Sequence, residues 1–152
     1  MKRFATLLTV ALAIACTAQA QTTEDSVKAT INRLFEGMKN ADTVLLKSAF
    51  EEAPILQTIA TNKKGNIYIK SDKFGDFVKF ISQQKAGEAD ERIEFETIRI
   101  DGPLAMVWAP YQFFYKGKFR HCGVNSFQLV RLEGAWKIQY LIDTRRKNCD
   151  SK

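Results

Sequence analysis

Apolar residues fall into two rhythms along the chain, and the change from one to the other sets out its plan. Val27, Ile31, Leu34, Phe35 and Met38 recur at helical spacing. Behind the polar Thr22-Thr23-Glu24-Asp25, which offers an N-cap and acidic residues for a helix start, they predict a helix of about fifteen residues. Asp42 caps a second, shorter helix whose apolar set is Leu45, Leu46, Ala49 and Phe50. Pro54 to Thr61 reads as a strand, Asn62 to Asn66 as a turn, and Ile67-Tyr68-Ile69 as a returning strand. Ser71-Asp72 then caps a third helix, Lys73 to Gln84, with Phe74, Phe77, Val78 and Ile81 on one face. From Arg92 the rhythm turns to period two. Arg92 to Asp101 is one strand, and Asp101 to Thr144 is three long strands joined by turns at Lys116-Gly117 and Glu133-Gly134. Segregated helices followed by consecutive strands predict an α+β fold, with three helices packed on one face of a curved antiparallel sheet.

Two-residue turns would fix the strand registers. Tyr115 would face Lys118 and Leu132 would face Ala135, and side chains alternate between the sheet faces from there. One face then collects Leu104, Met106, Trp108, Gln112, Phe114, His121, Asn125, Phe127, Leu129, Trp136, Ile138, Tyr140, Ile142 and Thr144. It is the more apolar and is expected to lie under the helices. The opposite face, with Tyr111, Phe113, Cys122, Lys137, Gln139, Asp143 and Arg145, is mixed, as a homodimer interface would be. Polar residues of the first face cluster, Gln112 opposite His121 and Asn125 beside Trp108. Such convergence inside an apolar surround is the usual form of a small-molecule site. The expected lining is Trp108, Gln112, His121, Asn125, Phe127, Tyr140 and Ile142.

The first twenty residues stand apart from this plan. Lys2 and Arg3 precede an apolar run, Phe4 to Ala15, too short to span a bilayer, and Ala18-Gln19-Ala20 supplies the small residues of a cleavage site. Residues 1–20 are therefore expected to be a signal peptide and residues 21–152 a single domain, periplasmic or secreted. Ala13-Ile14-Ala15-Cys16 is also a permissive lipobox, the lipoprotein alternative. Without residues 1–20, 21 basic residues face 17 acidic ones. The basic residues are dispersed, apart from Arg145-Arg146-Lys147, where a nucleic-acid surface would need a stripe. Cys122 and Cys149 remain in a compartment that permits disulfides. In a regular hairpin Cys122 lies opposite Arg145, which holds the two cysteines more than ~10 Å apart. A bond requires Cα atoms within ~7 Å, so it needs either a tail that folds back or a bulge that shifts the register.

Asp101-Gly102-Pro103-Leu104-Ala105-Met106-Val107-Trp108, His121-Cys122-Gly123-Val124-Asn125 and the closing Gly134-Ala135-Trp136-Lys137-Ile138 through Asp143-Thr144 resemble the nuclear transport factor 2-like superfamily. This cone-shaped fold includes SnoaL-type cyclases, ketosteroid isomerases and limonene epoxide hydrolases. The closest resemblance is to the SnoaL-like, putative lumazine-binding group of small exported bacterial proteins. It implies a cavity between the helices and the sheet, and a dimer through the sheet.

The residues themselves say less about chemistry. His121 is the only histidine, so it is the first candidate for acid/base work, and no second histidine exists to help hold a metal. Asp143 falls on the outer face in the regular register, and only a bulge would turn it inward. No phosphate loop or nucleophile elbow is present, and no cofactor is expected. The expected function is binding of a small apolar or aromatic ligand. One alternative is a small isomerase- or hydrolase-like enzyme with His121 as acid/base and Tyr140 or Asn125 polarising an oxygen. Another is a scaffold module with no ligand.

Overall fold

The helices and strands occur in the expected order in a computed structural model of the chain, which describes residues 23–62 and 64–149. The leader expected over residues 1–20, including Cys16, lies outside the described residues. Helix α1 is under way at residue 23 and runs to residue 40. Its stripe of Val27, Ile31, Leu34, Phe35 and Met38 is buried along its whole length. The helix closes through Ala41 in the left-handed region, φ 54°, with the Asp42 N–H donating to the Gly37 carbonyl at 2.8 Å. Gly37 also admits α2 (Thr43–Ser48) at close range, since a Cβ there would lie 2.6 Å from the Leu46 nitrogen. Asp42 caps α2 as expected, its carboxylate accepting from the Val44 and Leu45 N–H groups at 2.9 Å each.

Three local expectations change. Phe50, expected in the second helix, instead opens β1 (Phe50–Thr61). Ser71 and Asp72 end β2 (Ile67–Asp72) and do not cap α3 (Phe74–Ser82), whose N-cap residue Lys73 makes no side-chain capping bond. The single strand expected over Arg92–Asp101 is two, β3 (Ala89–Ile93) and β4 (Thr97–Asp101), both antiparallel to β5 (Leu104–Tyr115). The interruption falls beside Pro110, which has no N–H to give the ladder there. Its carbonyl still accepts from Glu94 at 2.9 Å. Strands β6 (Lys118–Leu132) and β7 (Ala135–Thr144) complete a curved sheet of order β2-β1-β7-β6-β5-β3, with β4 also on β5 and β1 parallel to β7.

The core lies between this sheet and the helices. Val107, Phe127, Leu129 and Ile138 meet Ile31, Leu34, Leu46 and Ile81, all fully buried or nearly so. The Phe35 ring meets the Phe127 ring edge to face, with 6.2 Å between centroids.

Two bulges decide which side chains face the helices. Beyond the Lys116-Gly117 turn, Tyr115 pairs with Lys118 and Phe114 with Phe119, but Phe113 then pairs with His121, so Arg120 is an extra residue in β6. Beyond the Glu133-Gly134 turn, pairing is regular through Leu129 and Ile138, but Gln128 then pairs with Tyr140, so Gln139 is extra in β7. Each insertion reverses the alternation past it. The helix-covered face therefore receives Tyr111 and Phe113 from β5 and His121, Asn125, Phe127 and Leu129 from β6. From β7 it receives Ile138 before the bulge and Leu141, Asp143 and Arg145 after it. This corrects the expected lining. Trp108, Gln112, Tyr140 and Ile142 lie on the outer face, where Trp108 is 42% exposed, Gln112 is exposed, and the Tyr140 hydroxyl donates to Gln57 at 2.7 Å. His121 stands opposite Phe113, not Gln112.

The bulge at Gln139 also settles the cysteines. Arg146 rather than Arg145 now faces Cys122, and their backbones exchange bonds of 3.0 and 2.8 Å. The tail then turns back, bringing Cys149 to a Cα separation of 5.9 Å from Cys122, and the two form a disulfide.

Candidate functional site

A cleft of about 460 Å³ opens between α1, α3 and the sheet. Its walls are apolar: Leu34, Phe35 and Met38 from α1, Phe77 and Phe80 from α3, and Leu56, Phe113 and Leu141 from the strands. The exposed Lys70 and Asp76 and the half-buried Asp72 also line it. Among the described residues, no group of three or more His, Cys, Asp or Glu side chains could hold a metal ion.

One polar group in the cleft is centred on Asp143, which is only 8% exposed. Its carboxylate accepts from the Thr58 hydroxyl, from the Tyr111 hydroxyl at 2.9 Å and from Arg145 Nε at 2.7 Å. Arg145 Nη2 donates to Thr58 Oγ1 at 3.0 Å, closing a ring of bonds among three side chains. The Tyr111 hydroxyl also lies 3.0 Å from the Thr144 carbonyl. Burial, and next the Asp143 charge, hold its proton well above the usual tyrosine range. Burial works against the Arg145 charge, but the bond and charge of Asp143 outweigh it and raise the guanidinium further. Gly123 makes this arrangement possible. A Cβ there would sit 1.8 Å from the Thr144 carbonyl oxygen and 3.0 Å from the Tyr111 ring.

The other polar group is Glu91, on β3 directly opposite Phe113. Asn125, 3% exposed, donates through Nδ2 to Glu91 Oε1 at 2.7 Å. Burial pushes the Glu91 carboxyl up to about 7, opposed by the Asn125 bond and aided by the Asp143 charge. His121, across Phe113 from Glu91, stacks against Tyr111 and Phe113 with centroids 5.7 and 5.2 Å apart. Burial, and then the Arg145 charge, lower its pKa to about 4, so it is neutral at pH 7.

The family described as putative lumazine-binding matches residues 22–140. The chain belongs to that family. No curated protein matches it. Among solved structures it is similar to an NTF2-like protein of unknown function from Shewanella baltica, with 15% identity over 84% of this chain and 96% of that one, at a TM-score of 0.64. A second, from Silicibacter pomeroyi, is 14% identical over 84% and 98% of the two chains, with a TM-score of 0.65. A protein named as a putative dehydratase of the NTF2-like family, from Streptomyces avermitilis, is 13% identical over 85% and 99%, with a TM-score of 0.61. At such identities the likeness is one of fold.

In this lumazine-binding-family chain, the cleft brings together two of the expected lining residues, His121 and Asn125. Phe127 is on the same face but sealed in the core at 0% exposure. Tyr140 cannot act beside His121, because the sheet lies between them. Polar residues of the cleft that were not singled out in the sequence as lining include Thr58, Glu91, Asp143 and Arg145. For Glu91 a signal existed. Ala89, Glu91 and Ile93 alternate with polar neighbours, so a carboxylate sits at an inward position of a short strand. Chemically, Asp143 accepts from three donors and serves to order the β1–β5–β7 floor. Glu91 keeps Oε2 without a hydrogen-bond partner among the described residues, as do both His121 ring nitrogens.

Proposed function

We propose that the chain binds a small, largely apolar or aromatic molecule in the cleft. The observation that carries this is the combination of aromatic walls with two inward polar groups, Glu91–Asn125 and Asp143–Tyr111–Arg145, in a space of about 460 Å³. That is the size and make-up of a small-molecule site, and it favours binding over a scaffold with a filled core. The family description supplies a candidate of suitable shape: lumazine is a planar, fused heteroaromatic whose rings would lie against Phe77, Phe80 and Phe113 and whose polar edge would meet Glu91 and Asn125. The test is mass spectrometry of small molecules that copurify with the chain, together with a fluorescence titration using lumazine. Saturable binding, weakened about tenfold or more by Phe77→Ala, is expected. A protein that carries no copurifying molecule and gives no saturable signal refutes the proposal.

Two further features belong with it. Export is supported by the leader pattern of residues 1–20 and by the Cys122–Cys149 disulfide, which suits an oxidising compartment. Intact-mass measurement of the exported chain, starting at Gln21 or at a lipidated Cys16, tests it. A homodimer through the outer sheet face is supported by Ile55, Ile69, Leu104 and Trp108, which are 42–60% exposed there. Sedimentation equilibrium tests that, with Trp108→Glu expected to give monomers.

A further inference from the structure

We propose that the molecule held in the cleft is an arylalkyl amine, bound as its cation with the ammonium group on Glu91 Oε2. This rests on ligand binding in the cleft and goes beyond it by fixing the charge and the functional group of the ligand.

Charge balance in the cleft carries the assignment. Among the described residues, Lys70 and Arg145 line it as cations against four carboxylates, Asp72, Asp76, Glu91 and Asp143. Each cation already has its own acid, Lys70 in Asp72 at 2.7 Å and Arg145 in Asp143 at 2.7 Å. Glu91 and Asp76 have no ion-pair partner among the described residues. His121 is neutral at pH 7 and offsets neither. The unmatched charge is therefore negative, which favours a cation and repels an anion. The chain as a whole has 23 basic residues against 17 acidic ones, so the cleft runs against the overall sign.

Glu91 is where such a cation would be held. Asn125 occupies Oε1 at 2.7 Å, whereas Oε2 has no hydrogen-bond partner and is not sealed from the cleft. An ammonium there makes a charge-assisted bond. Phe113 stands directly opposite Glu91 on β5, where facing Cβ atoms lie about 5 Å apart, so its ring adjoins the carboxylate. A ring face beside an ammonium adds cation–π attraction, and Phe77 and Phe80 of α3 supply apolar surface for the aryl group. Lumazine, which carries no ammonium, would meet Glu91 with neutral donors only.

The same carboxylate makes the binding depend on pH. Burial pushes Glu91 up to about 7, so it is partly protonated near neutrality, and an ammonium needs the ionised form. Charged and titratable groups sharing the cleft with it are Asp143 and Arg145 on β7, Tyr111 on β5, His121 on β6, Lys70 and Asp72 on β2, and Asp76 on α3. Helix α1 presents only apolar side chains there. Affinity for the cation should rise with pH through 7, and below 7 binding should expel the Glu91 proton.

The experiment titrates the whole chain, disulfide intact, by calorimetry with three probes that share one ring system: 2-naphthylmethylamine, 2-naphthalenemethanol and 2-naphthoate. At pH 8 the amine should bind about tenfold or more tighter than the alcohol, with naphthoate weakest. Between pH 8 and pH 5 the amine should lose about tenfold or more while the alcohol stays within about threefold. At pH 6, buffers of different ionisation enthalpy should reveal about one proton released per amine bound. Glu91→Gln should bind amine and alcohol alike at both pH values. Equal affinity of the native protein for amine and alcohol, an amine preference that survives Glu91→Gln, or binding without proton release overturns the proposal; binding of the alcohol then leaves the ligand-binding reading intact. Failure of all three probes to bind refutes both.

Discussion

Replacing Asp143 by Asn keeps the shape of the side chain and removes its charge, so it isolates what the buried carboxylate contributes. The native carboxylate accepts from Thr58, Tyr111 and Arg145. Hydrogen bonds to charged partners contribute about 1.5–3 kcal/mol against about 0.5–1.5 for neutral ones, so the Thr58 and Tyr111 bonds should each lose roughly 1 kcal/mol. The Asn amide also presents a donor where the native site has acceptors only, leaving one of the converging donors unmatched at roughly 1 kcal/mol more. Arg145 adds little, because its side chain is 47% exposed and water can replace the partner. The total is about 2–3 kcal/mol. In urea, with a slope of about 2 kcal/mol/M, the unfolding midpoint should fall by roughly 1–1.5 M at unchanged slope. Combining the change with Tyr111→Phe should give a coupling of about 1 kcal/mol, since the two groups share a bond. A midpoint shift under about 0.3 M, or additivity within about 0.3 kcal/mol, would show that the network does not hold the floor of the cleft.

The Glu91 carboxyl titrates near 7 in the folded chain against an ordinary 4.5, so its stability contribution is complete below about 4.5 and is lost as pH rises through 7. The loss is at most about 3 kcal/mol; Glu91→Gln should therefore gain on the native protein in melting temperature between pH 5 and pH 8, and a gap that stays constant would contradict the burial of this charge. His121 should titrate near 4 when its ring protons are followed by NMR, and a midpoint above 6 would mean that the imidazole is solvated. Gly123→Ala drives a Cβ into the Thr144 carbonyl and should cost about 3 kcal/mol or more, seen as a lower urea midpoint, whereas native stability would show that β6 and β7 can part there. Cys149→Ser opens a 27-residue link and should cost about 3–4 kcal/mol by chain entropy, read the same way, and an unchanged midpoint would mean that the tail contributes nothing.

Helices, strands and their order were legible in the sequence because each rests on local signals. The α1 stripe, the Asp42 cap and the two glycine turns depend on residues within a few positions of each other. Which residues face the cleft was not legible to the same degree. That depends on counting from each turn, and Arg120 and Gln139 carry no mark that distinguishes them from ladder residues. β6 kept its expected face, so His121 and Asn125 were placed correctly, while all of β5 past Phe114 and the second half of β7 were inverted. The same miscount set Cys122 against Arg145 and made the disulfide look remote. Glu91 was missed for a different reason: its strand is five residues long and begins two residues after Gly87, within a stretch whose polar composition reads as loop.

The bulge at Gln139 has a consequence for how such a pocket can change. Strand β7 holds two complete sets of side chains in alternate positions, Leu141, Asp143 and Arg145 in one and Tyr140, Ile142 and Thr144 in the other, and a single residue selects between them. It works as a reading frame does. Were Gln139 to take an ordinary place in the ladder, the buried acid and its arginine would turn outward and a tyrosine, an isoleucine and a threonine would face the same cleft, with no substitution anywhere in the strand. Within this fold, then, the smoothing of one bulge is the shortest step between a charged pocket and a neutral one.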